Sequence, residues 1–208
     1  MNEDFAVFLE DFGPGVCYHT PTDEFFEKYK GVLPDGLLEF WREQGFRSYA
    51  KGLFWTVNPE EYAWMVEGWV RPFDAMTKAD YFIFARTAFG EFYCMSPESN
   101  RVLTISCPNA MLYASKAFFK LVLGGASAVE SFFLASDRED FDFIDQNDKG
   151  LFARALKKLG PLAADEVYGF VPLLTLGGET TIDNLQKLRM DVHIEILKQS
   201  AEIQLDIM

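Results

Sequence analysis

Residues 136–150, SDREDFDFIDQNDKG, hold the densest group of side chains that could bind a cation or a basic protein. This acidic segment carries six carboxylates and two bases, namely Asp137, Glu139, Asp140, Asp142, Asp145 and Asp148 with Arg138 and Lys149. Carboxylate oxygens are the preferred ligands of Ca²⁺, and a field of negative charge attracts basic partners. The composition therefore raises three hypotheses: a metal site, a surface for a positively charged partner, or a solvated loop.

The spacing within the acidic segment argues against a calcium site. An EF-hand loop beginning at Asp145 would need oxygen ligands at its first, third and fifth positions, Gly at the sixth and Glu at the twelfth. Asp145, Asn147 and Gly150 fit this pattern. Lys149 and Leu156 stand at the fifth and twelfth positions and break it. We expect no bound metal here.

Helix capping accounts for part of the same composition. Asn147 or Asp148 is predicted to cap a helix that begins near residue 150, where carboxylates also interact favourably with the positive end of the helix dipole. Three apolar residues would anchor the segment to the core, Phe141, Phe143 and Ile144. The acids left facing water are candidates for contact with a basic partner: Asp137, Glu139, Asp140, Asp142 and Asp145.

The remaining polar residues do not form a recognisable catalytic or phosphate-binding motif. His19 and His193 have no metal-ligand partner at usable spacing, and Cys17 lies too near His19 for an oriented nucleophile and base. The glycine pairs at 124–125 and 177–178 match neither GxxxxGK[ST] nor GxGxxG, so we interpret them as turns or segment ends. We predict no enzyme activity, no cofactor and no metal.

Charge and composition exclude several classes of function. The 208 residues are 49% hydrophobic and 16% aromatic, which predicts a large core built from packed rings. A net charge of −13 repels DNA phosphates and anionic headgroups, so neither nucleic acid nor a membrane surface is an expected partner. Three cysteines without a CxxC motif, an acidic amino terminus and the lack of a long uncharged apolar run favour a cytoplasmic protein.

Apolar periodicity and turn residues predict the elements that position these side chains. Helices are expected over residues 5–12, after Thr20 as N-cap with Pro21 at the first helical position, and over about 34–44. Another is expected to begin at Asn58, with Pro59 next and Glu61 reaching back to the cap.

A sheet and a smaller helical part should follow. Four short apolar runs between residues 80 and 114 predict an antiparallel meander, extended by a strand in 48–57 and covered by the amino-terminal helices. Beyond residue 115, helices are expected over 129–133 and 151–159, and the ambiguous stretch 181–199 is interpreted as helix on its length. The predicted fold is α+β, with domains at 1–112 and 113–208.

Several phrases resemble a known pair of domains. Residues 29–62 closely resemble the GAD-like domain, with its landmarks in order: Leu33-Pro34, Trp41, Gly45-Phe46, Gly52, Trp55 and Asn58-Pro59. Residues 84–96 and 151–197 resemble the carboxy-terminal domain that accompanies it in type VI secretion immunity proteins. The matched positions are mostly core and turn residues, so they point to a family more directly than to a contact.

This resemblance implies a non-catalytic protein that binds and neutralises a DNase effector, since members of the family accompany nuclease effectors that include the GHH type. Our leading hypothesis is a one-to-one complex with that effector. An acidic surface suits a basic nuclease, and the missing catalytic motifs suit a stoichiometric inhibitor. The alternative function is a sensory or regulatory module that binds a small ligand in a pocket between the sheet and the carboxy-terminal helices.

Overall fold

The computed structural model describes residues 3–73, 78–114 and 127–207. Its helices are α1 Glu3–Phe12, α2 Asp23–Tyr29, α3 Asp35–Gln44, α4 Ala63–Met65, α5 Ala128–Leu134, α6 Phe152–Leu159 and α7 Met190–Ser200. A 3₁₀ turn, Pro59–Tyr62, precedes α4 and a π-helical turn, Val66–Val70, follows it. None of the described helices is long and apolar enough to cross a membrane.

Eight strands form the main sheet, and two more form a separate hairpin. The strands are β1 Val16–His19, β2 Phe46–Tyr49, β3 Phe54–Thr56, β4 Phe82–Thr87, β5 Glu91–Ser96, β6 Arg101–Ser106, β7 Met111–Ala114, β8 Glu166–Phe170, β9 Leu185–Arg189 and β10 Gln204–Ile207. The main sheet runs β1-β2-β3-β4-β5-β6-β7-β10 and is antiparallel except for the last pair. The predicted meander, β4 to β7, and the α+β class are confirmed.

One face of the main sheet is covered by an aromatic core that unites the two ends of the chain. Phe133 of α5 packs with its ring centroid 5.0 Å from that of Phe8 in α1, 5.5 Å from that of Phe40 in α3 and 6.0 Å from that of Phe54 in β3. All four rings are fully buried. Helices from before and after the meander therefore share one hydrophobic interior on this face.

The opposite face carries a second core that is shared in the same way. Trp69 and Ile83 from the first half pack in one cluster with Ile194 and Leu197 of α7. Arg86, fully buried, donates from Nη2 to the Ala164 carbonyl at 2.9 Å and lies 4.4 Å from the Trp55 ring centroid. A cation held over an indole face inside the protein is stabilised electrostatically. The hydrogen bond from Arg86 to Ala164 links the sheet to the carboxy-terminal segment.

Most of the predicted helices are confirmed with small shifts in their ends. Helix α3 ends at Gly45, whose φ of +70° is a left-handed conformation that glycine adopts without strain. Asn58 caps the Pro59 turn by accepting from the Glu60 N–H at 3.1 Å. The Glu61 carboxylate accepts from the Asn58 side-chain amide at 3.4 Å, whereas the prediction had it reach the backbone of the cap.

The predicted cap at Thr20 is wrong. Thr22 is the N-cap of α2, and its hydroxyl accepts from the Phe25 N–H at 3.3 Å. The helix begins at Asp23 because Asp23 and Glu24 then occupy its first turn, where negative side chains interact favourably with the helix dipole.

The stretch 181–199 is half strand and half helix, so its interpretation as a single helix is wrong. Leu185–Arg189 is β9, paired antiparallel with β8 so that Tyr168 lies opposite Lys187, and α7 begins only at Met190. The residues fit both a helical and a strand pattern, and the pairing with β8 makes Leu185–Arg189 a strand. Strand β10 was not predicted, because its parallel partner β7 lies about ninety residues earlier.

Candidate functional site

The acidic segment is a surface turn held in place by aromatic anchors. Phe141 is buried, with its ring centroid 4.6 Å from that of Phe54 and 5.6 Å from that of Phe12. Phe143 is partly buried and packs near Phe89 at 5.3 Å. These two predicted anchors are confirmed, but Ile144 is 55% exposed and does not anchor the segment.

Three of the five predicted partner-binding acids face solvent together. Asp137, Glu139 and Asp140 are exposed around a 3₁₀ turn, Arg138–Phe141. The Asp140 carboxylate accepts from the Asp137 N–H at 3.0 Å, which fixes the turn. Arg138 projects away from them towards α1, where its Nε lies 3.4 Å from Asp11 Oδ1. The exposed acids thus form a compact negative patch.

Asp142 has a structural task, since it caps α6 from a distance in sequence. Its Oδ1 accepts from the Leu151 N–H at 3.0 Å and from the Phe152 N–H at 2.8 Å. A Cβ on Gly150 would collide with its Oδ2. Burial raises the pKa of Asp142 although the backbone hydrogen bonds oppose that shift. The predicted caps Asn147 and Asp148 are wrong, because the chain reverses at 145–150 and returns α6 to Asp142.

Asp145 organises that reversal. Its Oδ1 accepts from the backbone N–H groups of Asn147 at 2.8 Å and Lys149 at 3.1 Å, and its Oδ2 lies 2.7 Å from Arg154 Nη1. These backbone hydrogen bonds and Arg154 lower the pKa of Asp145. Across the described ranges, no group of three or more His, Cys, Asp or Glu side chains is placed to hold a metal ion.

The other residues singled out from the sequence lie in different elements, except for Cys17 and His19, which are neighbours in β1. The exposed Cys17 thiol contacts the backbone oxygen of His19 at 3.5 Å, and the His19 ring stacks near Phe46. His193 is buried against Gly169, and burial lowers its pKa. Gly177 ends a short 3₁₀ turn with a φ of +85°. The pair at 124–125 lies outside the described residues.

Two of the cavities in the described part of the chain are lined by residues that come from both halves. The hypothesis of a pocket between the sheet and the carboxy-terminal helices named none of their lining residues. We call the first the junction pocket; it has a volume of about 260 Å³ and is lined by Glu61, Tyr62, Trp64, Ala164, Asp165, Arg189, Met190 and Asp191. The second, of about 600 Å³, lies between the sheet end and α6 and includes Phe12, Leu53, Phe152 and Leu156. The cap at Asn58 predicts where the turn that carries Trp64 begins. No sequence pattern indicates which segment of the chain packs against that turn.

The family of the chain follows from its amino-terminal part. The family model of the GAD-like domain matches residues 3–109, just over half of the sequence. The chain belongs to the GAD-like domain family. In this GAD-like protein, residues 126–200 also match the family model described as "T6SS immunity protein Tdi1, C-terminal". That match supports its assignment as a type VI secretion immunity protein.

A solved structure has the same fold as this GAD-like protein over nearly its whole length. The crystal structure of Atu4351 from Agrobacterium tumefaciens is similar with a TM-score of 0.82, at 22% sequence identity, covering 98% of this chain and 92% of that one. No curated protein matches the sequence. The likeness at this identity establishes the shared architecture. The first family match ends at residue 109 and the second begins at residue 126, so the boundary between the two domains lies between these residues. The predicted division at residue 112 stays a prediction.

The capping role of Asp142 gives a stability prediction. We expect Asp142→Ala to lower the free energy of unfolding by about 1 kcal/mol, because the two N–H groups at the start of α6 lose their acceptor. Asp142→Asn should lose less, since the asparagine oxygen can still accept. Urea denaturation followed by circular dichroism measures both. Glu139→Ala, at an exposed position of the same turn, is the control, and equal stability of Asp142→Ala and Glu139→Ala would rule out the cap.

Proposed function

We propose that this protein binds a DNase effector of the type VI secretion system and neutralises it by direct one-to-one contact in the cytoplasm. The protein acts by binding and not by catalysis. The match of residues 126–200 to a type VI secretion immunity protein carries the proposal. The nuclease character of the partner is supported by charge, because a protein that cuts DNA presents Lys and Arg to the phosphate backbone.

Electrostatics suit this pairing in sign and in range. The chain has 32 acidic and 19 basic residues, which gives the net charge of −13. Opposite fields raise the association rate of two proteins by orders of magnitude, and added salt screens the effect. An inhibitor that must protect its own cell needs a dissociation constant at or below nanomolar, about −12 kcal/mol of binding free energy.

The acidic segment is the proposed region of first contact. Asp137, Glu139 and Asp140 are exposed on a turn that Phe141 attaches to the core, so their charges are held at one place on the surface. Asp142 and Asp145, also predicted to bind the partner, hold the shape of the segment and add to its field while their oxygens are occupied by backbone N–H groups. Charge at a surface of this kind governs association more than dissociation.

Titration of the nuclease tests the function itself. With the effector encoded by the adjacent gene, cleavage of plasmid DNA should fall linearly with added protein and stop at one equivalent, because each nuclease is occupied by one inhibitor. Size-exclusion chromatography should show a complex of matching mass. Full cleavage at excess inhibitor, with the two proteins eluting separately, would contradict the proposal.

A small-ligand function is the alternative, and the second cavity favours it. Its volume of about 600 Å³ is within the ~300–1,000 Å³ typical of ligand sites. Apolar side chains line most of it, with Lys51 and Arg138 as the charged groups. Thermal shift against a metabolite panel distinguishes the two functions: stabilisation by a metabolite, with none by the nuclease, would support the module.

Charge reversal locates the steering surface. We expect the triple variant Asp137→Lys, Glu139→Lys and Asp140→Lys to associate about tenfold more slowly and to lose much of the salt dependence of association. Stopped-flow or biolayer measurements at several salt concentrations give both quantities. Asp142 is left unchanged because its loss would disturb α6.

The control separates local charge from net charge. Glu24→Lys, Glu27→Lys and Glu39→Lys change the net charge by the same amount on α2 and α3, where residues 3–43 hold ten acids and three bases. An equal decrease in association rate for both triple variants would remove the acidic segment as a distinct site. A larger decrease in association rate for the α2–α3 triple variant would instead assign the docking face to those helices.

A further inference from the structure

Trp64 stands out because it is a tryptophan that the fold leaves at the surface. All four tryptophans are described, and Trp41, Trp55 and Trp69 are at most 4% exposed while Trp64 is 38% exposed. Its Nε1 donates to the Glu61 carbonyl at 3.1 Å, which restricts the position of the indole at the junction pocket. Burying a ring already restrained costs little conformational entropy, a property of interface anchors.

The walls of the junction pocket come from both family matches. Glu61, Tyr62 and Trp64 belong to the GAD-like segment, and Asp165, Arg189 and Asp191 to the carboxy-terminal segment. The Tyr62 hydroxyl lies 4.0 Å from Met190 Sδ across the junction. A ligand in this pocket therefore contacts both segments at once.

Negative charge dominates the pocket lining, with three carboxylates against one guanidinium. Arg189 bridges two of them, with Nε 3.6 Å from Asp165 Oδ2 and Nη2 3.1 Å from Asp191 Oδ2. All three side chains are more than half exposed, and ion pairs so exposed contribute little to stability. The Glu61 carboxylate accepts from the Asn58 side-chain amide, a neutral donor, at 3.4 Å. A second cation can therefore enter and be paired.

An apolar strip continues from the pocket along the outer face of α7. Val192 and Ile196 are 55% and 50% exposed and lie four residues apart, so they neighbour each other on one helix face. Asp191 and Glu195 flank them on the exposed side. Protein interfaces that contain strong anchor residues typically combine aromatic and aliphatic side chains with a charged rim.

We propose that the junction pocket and the outer face of α7 form the anchor surface for the effector, with the pocket receiving an arginine or lysine side chain from its basic face. The inference rests on the proposed function and specifies where that function is carried out. A cation is favoured by the indole and the carboxylates together. The volume of about 260 Å³ is below the ~300 Å³ at which small-molecule sites begin, and it suits a single inserted side chain.

The anchor surface and the acidic segment then have different kinetic roles. Exposed charge on the acidic segment accelerates encounter, whereas a desolvated aromatic and ion-paired contact sets the dissociation rate. Variants at the two places should affect different rate constants.

Dissociation kinetics of the complex with the effector nuclease test the proposal. Trp64→Ala should raise the dissociation rate about 10- to 100-fold with little change in association, and Trp64→Phe should raise it less. Glu61→Lys should also speed dissociation, because it places a cation where the partner's cation binds. Matched controls are Leu134→Ala, an exposed apolar side chain on α5, and Glu98→Lys, an exposed acid in the β5–β6 turn; both should stay within about twofold of the unmodified protein.

Fluorine labelling of the unmodified protein tests the same anchor surface without depending on the stability of a variant. Protein containing 5-fluorotryptophan should show a ¹⁹F signal from exposed Trp64, assigned through Trp64→Phe, that shifts and loses its solvent-isotope sensitivity in the complex. Signals from the buried Trp41 should not move. A complex in which Trp64 stays accessible, or in which Trp64→Ala and Glu61→Lys dissociate at the unmodified rate, would overturn the anchor surface and leave the proposed function intact. Failure of the unmodified protein to bind the nuclease would overturn both.

Discussion

The aromatic core around Phe133 is the contact on which the rest of the structure depends. This ring comes from α5, after the meander, yet its neighbours Phe5, Phe8, Phe40, Phe54 and Phe84 all come from before or within it. Each such pair contributes about 0.5–1.5 kcal/mol beyond the burial of its area. Removal of α5 would expose the apolar face of α1, so the GAD-like part and the carboxy-terminal part stabilise one another.

The shared cores also explain why the acidic segment and the junction pocket, the two proposed binding features, lie where the two parts meet. The acidic segment is anchored by Phe141 against Phe12 and Phe54, side chains that belong to the other family match. The junction pocket forms where Arg86 donates to the Ala164 carbonyl and Tyr62 approaches Met190. Because apolar residues cover both faces of the sheet, the acidic side chains lie at the protein surface. The burial of apolar residues that builds the core therefore also produces the negative field of the surface.

Local sequence was sufficient for much of the fold but for little of the site. Asn58-Pro59, the glycine after α3 and the alternation within 80–114 depend on neighbouring residues, and those predictions are confirmed. The cap of α6 by Asp142 spans nine residues through a chain reversal, so closeness in sequence wrongly favours Asn147 and Asp148. Strand β9 needed β8, and the junction pocket needed residues about a hundred positions apart. The acids of the patch could be named from sequence, whereas their division into exposed and capping groups required the tertiary structure.

Unfolding of a single core variant tests the central claim that both parts form one cooperative unit. Phe133→Ala removes a fully buried ring and should lower the free energy of unfolding by about 3–5 kcal/mol, while its neighbour Leu134→Ala, 46% exposed, should change it by less than about 1 kcal/mol. Urea denaturation followed by tryptophan fluorescence, which reports the amino-terminal half, and by circular dichroism, which reports the whole, should give one coincident transition that shifts as a unit. Two separate transitions, with the fluorescence midpoint unmoved by Phe133→Ala, would contradict it.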